Sequence, residues 1–317
     1  MQQVKRWIDS LGYKNYEIEV VSADASYRRY YRLFLEDKTT FIIMDSSMQI
    51  ESIYPFIDVS VRLLKSKVQI PRVYSQNLQD GFLLIEDLGN THLIDILNPM
   101  SSKLLYTKAI YEIIKMQNAD VSGLELYDRE FLMFEMELMQ EWYFKQHLHI
   151  ELEDEEQRAL DDTLNLIAEN VLSQPQGYFV HRDFHSRNIM FAGQGKVYVI
   201  DYQDARIGSI TYDLASLLND VYIQFDRDKI VELILEFKIL RGIKNVSDEQ
   251  FVKWFDFMAM QRHIKILGIF ARLKIRDNKP AYINDIPMTL KYINENIERY
   301  EEFKPLKLIF TKVLESV

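Results

Sequence analysis

The sequence predicts an α+β chain of two lobes, a β-rich N-terminal lobe over residues 1–86 and a larger, mainly α-helical lobe over 87–317. Three observations predict it. Short runs of β-branched and aromatic residues crowd the first lobe, helical periodicity governs the second, and a single β interruption at 178–201 breaks the helical part. At about 100–200 residues per domain, 317 residues suit two such lobes.

Residues 16–22 (YEIEVVS), 30–35 (YYRLFL) and 40–45 (TFIIMD) read as antiparallel strands, the last two joined by a turn at Glu36-Asp37-Lys38. In 51–66, Ile53, Phe56, Ile57, Val61 and Leu64 stand near helical spacing, and beyond Pro71 the run FLLI at 82–85 adds a strand. The segments 101–118, 129–147, 153–172, 213–240, 248–274 and 285–303 carry helical periodicity with acidic first turns. Within 178–201, YFVH, NIMF and KVYVID read as short strands around a loop.

Composition narrows the chemistry. With 48% hydrophobic and 13% aromatic residues the chain has ample material for a packed core. The absence of Cys excludes a disulfide scaffold, a Cys-based zinc site, an iron–sulfur cluster and a thiol nucleophile, and fits a reducing cytoplasm. A balance of 38 basic against 48 acidic residues, net −10, argues against a nucleic-acid backbone binder and favours a small-molecule partner. The N-terminal residues lack a signal-peptide core and no window approaches 18 apolar residues, so a cytoplasmic protein without membrane association or an obligatory protein partner is the expectation. Only 10 residues are Gly, none of them between Tyr13 and Asp80, and neither GxxxxGK[ST] nor GxGxxG occurs, which excludes the two commonest glycine-loop solutions to nucleotide binding.

The most specific string is FVHRDFHSRNIMF at 179–191, with Asp201 ten residues beyond it. It contains H-R-D-x-x-x-x-N as His181-Arg182-Asp183 through Asn188. In phosphoryl transfer the Asp of such a loop accepts or orients the proton of the attacking hydroxyl, while the Asn and a second Asp hold Mg²⁺ on the nucleotide phosphates. A polar turn that satisfies its own backbone would explain the residues separately but not their order. His181 and His185, at i and i+4, could instead ligate a metal, but no third-ligand motif accompanies them; His181 reads better as a buried hydrogen-bonding residue that shapes the loop.

These strings, with FLLIEDLG at 82–89 and ITYDLASLLND at 210–220, resemble the aminoglycoside-phosphotransferase branch of the protein-kinase-like fold. More narrowly, ADASYRRYYRL at 23–33, IDYQDARIGSITYDLASLL at 200–218 and QRHIKILGIFARLKIRDNKPAYINDIP at 261–287 are similar to the N-acetylmuramate/N-acetylglucosamine anomeric kinases of bacterial cell-wall recycling. The resemblance implies a bilobal fold whose N-terminal lobe binds ATP and whose C-terminal lobe carries catalysis and an amino-sugar substrate, phosphorylated at its anomeric hydroxyl. It implies Asp183 as base, Asn188 and Asp201 as Mg²⁺ ligands, and Glu86, Asp87 and Leu88 as the adenine hinge. Asp213 would brace the catalytic loop from behind.

Two departures from the protein-kinase pattern stand out. Met44 occupies the third-strand position where that pattern places a phosphate-binding Lys, and Asp201 precedes Tyr-Gln rather than Phe-Gly. Ser26 with neighbouring backbone amides, assisted by Arg28, Arg29 or Arg32, is the expected substitute at the phosphates. For the sugar the candidates are Asp204, Arg206, Gln261, Arg262 and His263, with Arg206 suited to a lactyl carboxylate. Two alternatives remain open at this point: a phosphotransferase for aminoglycosides or other small alcohols, and a non-catalytic nucleotide-binding pseudokinase.

Overall fold

The three β-branched, aromatic runs become β1 (Glu17–Ser22), β2 (Arg29–Phe34) and β3 (Thr40–Asp45), joined by β4 (Val73–Asn77) and β5 (Phe82–Glu86) in an antiparallel sheet of order β1-β2-β3-β5-β4. The computed structural model describes residues 1–22, 28–193 and 195–316. Strand alternation divides the sheet's side chains between its faces. Tyr31, Leu33, Ile43, Phe82 and Leu84 pack in one buried cluster with Val4, Trp7 and Ile8 of helix α1 (Gln2–Ser10), whose i, i+3, i+4 spacing forms its apolar stripe. Trp7 and Phe82 meet ring to ring at 5.7 Å. Burying side chains of this size contributes about 1.5–3 kcal/mol each. Helix α2 (Ile53–Lys65) follows β3 as its periodicity predicts.

The expected β interruption forms β6 (Tyr178–Val180), β7 (Ile189–Ala192) and β8 (Lys196–Val199), with β9 (Arg206–Gly208) after it. β7 and β8 make a hairpin, and β6 pairs antiparallel with β9. Contacts within the chain define two compact units, Met1–Asp95 with Arg187–Asp204 and Ile96–Ser186 with Ala205–Val317. The β7–β8 hairpin thus counts with the five-stranded sheet, a long-range association that a boundary drawn along the sequence does not express. Asp183 belongs to the second unit; Asn188, Asp201 and Asp204 belong to the first.

Beyond a short α3 (Leu93–Ile96) and apart from the β6–β9 ladder, the second unit is mainly helical: α4 (Ser102–Met116), α5 (Arg129–Leu138), α6 (Asp154–Ser173), α7 (Tyr212–Leu218), α8 (Arg227–Leu240), α9 (Asp248–Ile275), α10 (Ile286–Arg299) and α11 (Lys307–Glu315). α9 is its axis, with every residue from Phe255 to Lys265 buried, so that stretch of the helix is enclosed on all sides. The expected helix 129–147 divides into α5 and a π-helical segment, Met139–Leu148, which closes at His149 with φ 57°. The change of winding falls where the Leu138–Met139 backbone abuts Gly268 of α9. The expected helix 213–240 is broken into α7 and α8. Asp220, in the break, accepts the N–H groups of Ser186 at 2.8 Å and Tyr222 at 3.0 Å, bonds that compete with helix continuation. Among the described residues no helix is long and apolar enough to cross a membrane.

Candidate active site

The loop after β6 is gripped from several sides. Asp213, in the first turn of α7, accepts the backbone N–H of His181 at 2.8 Å and of Arg182 at 3.1 Å. Burial pushes the Asp213 carboxyl up, against the pull of His181 and the two N–H groups it accepts. His181 is buried, and its Nδ1 accepts the N–H of Asp183 at 3.3 Å. Arg182 takes φ 78°, in the left-handed region that non-glycine residues occupy only where their surroundings hold them. Its carbonyl accepts from Arg262 Nη1 at 2.6 Å.

Asp183 itself is half-buried. Burial alone would raise its carboxyl, but Lys265, His185, Arg262 and Arg182 together hold it well below the usual carboxylate range. His185 lies edge-on to Tyr222 at 5.2 Å, and burial pulls its imidazole down against the opposing charges of Asp220 and Asp183.

A second layer was invisible to motif reading. Glu135 of α5, buried, accepts from Arg182 Nη2 at 2.7 Å; Lys265 Nζ reaches the same oxygen at 3.2 Å, and Tyr127 OH donates to the other. Lys265 also donates to Tyr212 OH at 3.1 Å, while Gln261 donates to Tyr127 OH at 3.3 Å. The available signal was a charge on an apolar stripe. Glu135 shares buried helical spacing with Leu132, Met136 and Met139, and Lys265 sits in the enclosed stretch of α9.

In the first unit, Asn188 Nδ2 lies 3.4 Å from Asp201 Oδ2. Asp201, two residues past β8, has φ 64°, and Gln203 Nε2 bridges Asp201 Oδ1 at 2.9 Å and Asp204 Oδ2 at 3.3 Å. Of the three arginines, Arg32 is fully engaged: it makes a bidentate pair with Asp87 at 2.7 and 3.0 Å and reaches Gly89 O and Asn90 Oδ1. It therefore ties β2 to the 86–90 segment, where Glu86 accepts the N–H of Arg72 and Leu88 is buried. Arg29 pairs with the buried Asp45 at 2.9 Å and faces the same way as Tyr31 and Leu33. Buried Arg28 donates to Ser52 O at 2.9 Å and to the Tyr30 side chain. Tyr30 stands opposite the buried Met44 across the β2–β3 ladder; burial pushes its hydroxyl up to about 12, with Arg28 pulling down and Asp201 pushing up. Ser26 lies outside the described residues.

The sugar candidates are distributed unevenly. Gln261, Arg262 and His263 are buried, and their bonds go to Tyr127, the Arg182 carbonyl and Asn219 O, the last at 3.0 Å from His263 Nε2. Arg206 pairs with Glu125, donates to Leu126 O and lies 3.6 Å over the Phe131 ring. The second unit also holds a polar cavity of about 350 Å³ lined in part by Gln224, Phe225, Lys291, Tyr292, Glu295 and Asn296. Tyr292 stacks on His263 at 4.7 Å, and the buried Asn296 carries an Nδ2 with no hydrogen-bond partner among the described residues. Asn219, also on its wall, precedes Asp220, the residue that holds the loop at Ser186.

A five-stranded sheet unit, a helical unit and a loop aspartate braced from α7 define a kinase-like phosphotransferase. The ADP-bound aminoglycoside phosphotransferase APH(2'')-Ib is similar to this chain at TM-score 0.63 and 15% identity, covering 93% of this chain and 98% of that one. Choline kinase LicA from Streptococcus pneumoniae gives TM-score 0.64 at 15% identity with the same coverage. Residues 17–239 match the phosphotransferase enzyme family (APH), and the chain belongs to that family. An N-acetylmuramate/N-acetylglucosamine kinase of Neisseria meningitidis serogroup B is 33% identical over 98% of this chain and 95% of its own length. One from Pseudomonas aeruginosa is 35% identical over 92% and 86%.

Proposed function

We propose that this protein is an ATP-dependent kinase that phosphorylates the anomeric hydroxyl of N-acetylmuramate or N-acetylglucosamine. The observation that carries the chemistry is Asp183, a carboxylate kept ionised on a loop gripped at successive backbone groups. The acceptor follows from relatives that are N-acetylmuramate/N-acetylglucosamine kinases and align with nearly the whole chain.

In this reading Asp183 accepts a hydrogen bond from the sugar's O1 hydroxyl and aims its lone pair at the transferring phosphoryl group. A carboxyl held this low is a poor proton sink, so orientation is its main contribution, and proton transfer comes late in a loose transition state. An anomeric hydroxyl, more acidic than an ordinary alcohol, suits so weak a base. Asn188 and Asp201 offer an amide and a carboxylate side by side, an oxygen donor set that fits a hard cation holding few protein ligands. Mg²⁺ bound there would neutralise charge on the nucleotide phosphates. In this reading Arg28, buried beside Tyr30 where that residue pairs with Met44, takes the place of the missing third-strand lysine. Gln261, Arg262 and His263 shape the loop and the cavity wall rather than touching sugar. The cavity beside Tyr292 suits a hexosamine, with aromatic faces for the ring and amide and charged groups for its hydroxyl and acetamido groups.

A coupled ADP-release assay over N-acetylmuramate, N-acetylglucosamine and an aminoglycoside panel tests the reading. Turnover on an amino sugar, with the 1-phosphate as product, is the expected result. Turnover on aminoglycosides alone, or ATP binding without turnover on any acceptor, overturns it. In the same assay Arg28→Ala should lower kcat/KM for ATP by about 10–100-fold, the scale of one lost charge-stabilising donor. Arg29→Ala, which removes contacts with Asp45 and Ser47 and, among the described residues, no contact to Tyr30, should stay within about 3-fold of wild type for ATP. Equal losses in both variants would remove Arg28 from the phosphate site.

A further inference from the structure

We infer that Glu135 is a positioning residue for phosphoryl transfer, a buried carboxylate that holds the Arg182 side chain and so fixes the aim of Asp183. The inference rests on the reading of Asp183 as the residue that receives the acceptor hydroxyl. Arg182 is the residue before it and has φ 78°, so the peptide leading into Asp183 sits in a conformation that a non-glycine residue leaves unless it is held. Three groups hold it. Asp213 takes its N–H at 3.1 Å, Arg262 takes its carbonyl at 2.6 Å, and Glu135 takes its guanidinium at 2.7 Å. The first two grip the backbone; Glu135 grips the side chain, which also lies 5.2 Å from the Phe131 ring centroid.

Charge makes the third grip specific. Around the loop Arg182, Arg262 and Lys265 are the cations, and Glu135, Asp183 and Asp213 are the anions. Asp213 is committed to two backbone N–H groups, and in the proposed reaction the acceptor hydroxyl must reach the Asp183 carboxylate. One Glu135 oxygen meets Arg182 and Lys265 together, and Tyr127 anchors its other oxygen. Without it both cations can turn towards Asp183 and capture the carboxylate. Kinases that switch by phosphorylation pair an arginine with a phosphate; here the loop arginine's partner is a carboxylate built into α5.

The test is a double-mutant cycle of Glu135→Gln and Arg182→Gly, read as kcat and KM for ATP and sugar below the melting temperature of each variant. Glycine adopts φ 78° without strain, so Arg182→Gly removes the side chain while favouring the loop backbone, and it is the variant that folds if Glu135→Gln does not. Expected are a 10- to 100-fold loss of kcat (about 1.4–2.8 kcal/mol) for Glu135→Gln with both KM values within about 3-fold, because the loss lies in the transition state. In the Arg182→Gly background the same Glu135→Gln change should cost less than about 3-fold, the mark of coupled residues. A sugar KM raised by Glu135→Gln at unchanged kcat would make Glu135 a substrate contact and overturn the inference. So would full kcat in Arg182→Gly, or equal kcat losses in both backgrounds. A wild type without turnover on any acceptor takes down the underlying reading as well; wild-type turnover with any of these three results takes down the inference alone.

Discussion

Asp183→Asn should lower kcat by about 10²- to 10⁴-fold, the range that a positioned acid–base group contributes, with little change in KM for ATP or sugar. Asparagine preserves the side chain's size and its place on the loop, but its amide cannot take the acceptor's proton or match a carboxylate as hydrogen-bond acceptor. The sign of the accompanying stability change follows from the charges nearby. The folded carboxyl lies below its unfolded value, so its ionised form contributes stability above about pH 4, which is lost as pH falls through the lower folded value. At neutral pH the neutral amide therefore forfeits the attraction of Lys265, Arg262 and Arg182, and the melting temperature should drop by about 2–4 °C, the equivalent of ~1 kcal/mol in a large domain. The same low value means that Asp183 imposes no fall in wild-type kcat between pH 7 and about pH 5. Steady-state kinetics and thermal melts of Asp183→Asn check both parts; a variant retaining more than about a tenth of wild-type kcat removes Asp183 from the reaction.

How much of this was legible depended on whether local chemistry or long-range packing chose the residue. His181, Arg182, Asp183, Asn188 and Asp201 could be read as a set because their order along one short stretch has a chemical reason. The strands of the first sheet were legible for a similar reason, since alternation and turn residues act over a few positions. The three arginines looked equivalent in sequence. Strand register separates them, pairing Arg29 with Asp45 and leaving Arg32 to span 55 residues to Asp87. Gln261, Arg262 and His263 read as sugar candidates, but α9 is enclosed on all sides from Phe255 to Lys265, and periodicity cannot identify a solvent face where there is none. The helix break at Asp220 was hidden because its cause, the N–H of Ser186, comes from 34 residues earlier in the chain. Glu135 and Lys265 were hidden for the same reason, each being a plausible surface charge until the other is placed beside it.

The contact that sets this pair is open to a direct test at Gly268. Alanine is the better helix former by about 1 kcal/mol, so propensity alone predicts that Gly268→Ala stabilises α9. Packing predicts the reverse. A Cβ at 268 would lie 2.3 Å from the Leu138 carbonyl carbon, 2.5 Å from its oxygen and 2.5 Å from Met139 N. All three are backbone atoms, so no side chain can swing away and the helices themselves must part. A loss of about 3 kcal/mol, the upper end for overpacking, corresponds to roughly 6–12 °C in melting temperature. Leu138 and Gly268 each lie three residues, one turn, beyond Glu135 and Lys265, so parting the backbones at this point lengthens the 3.2 Å pair one turn away. Gly268→Ala should therefore lower kcat by about 10-fold even well below its melting temperature, through the Glu135 grip on Arg182. Differential scanning fluorimetry and kinetics at 15 °C separate the two effects. An unchanged melting temperature would mean that α5 and α9 yield at this contact without cost; a lowered one with full kcat would mean that the pair tolerates their separation.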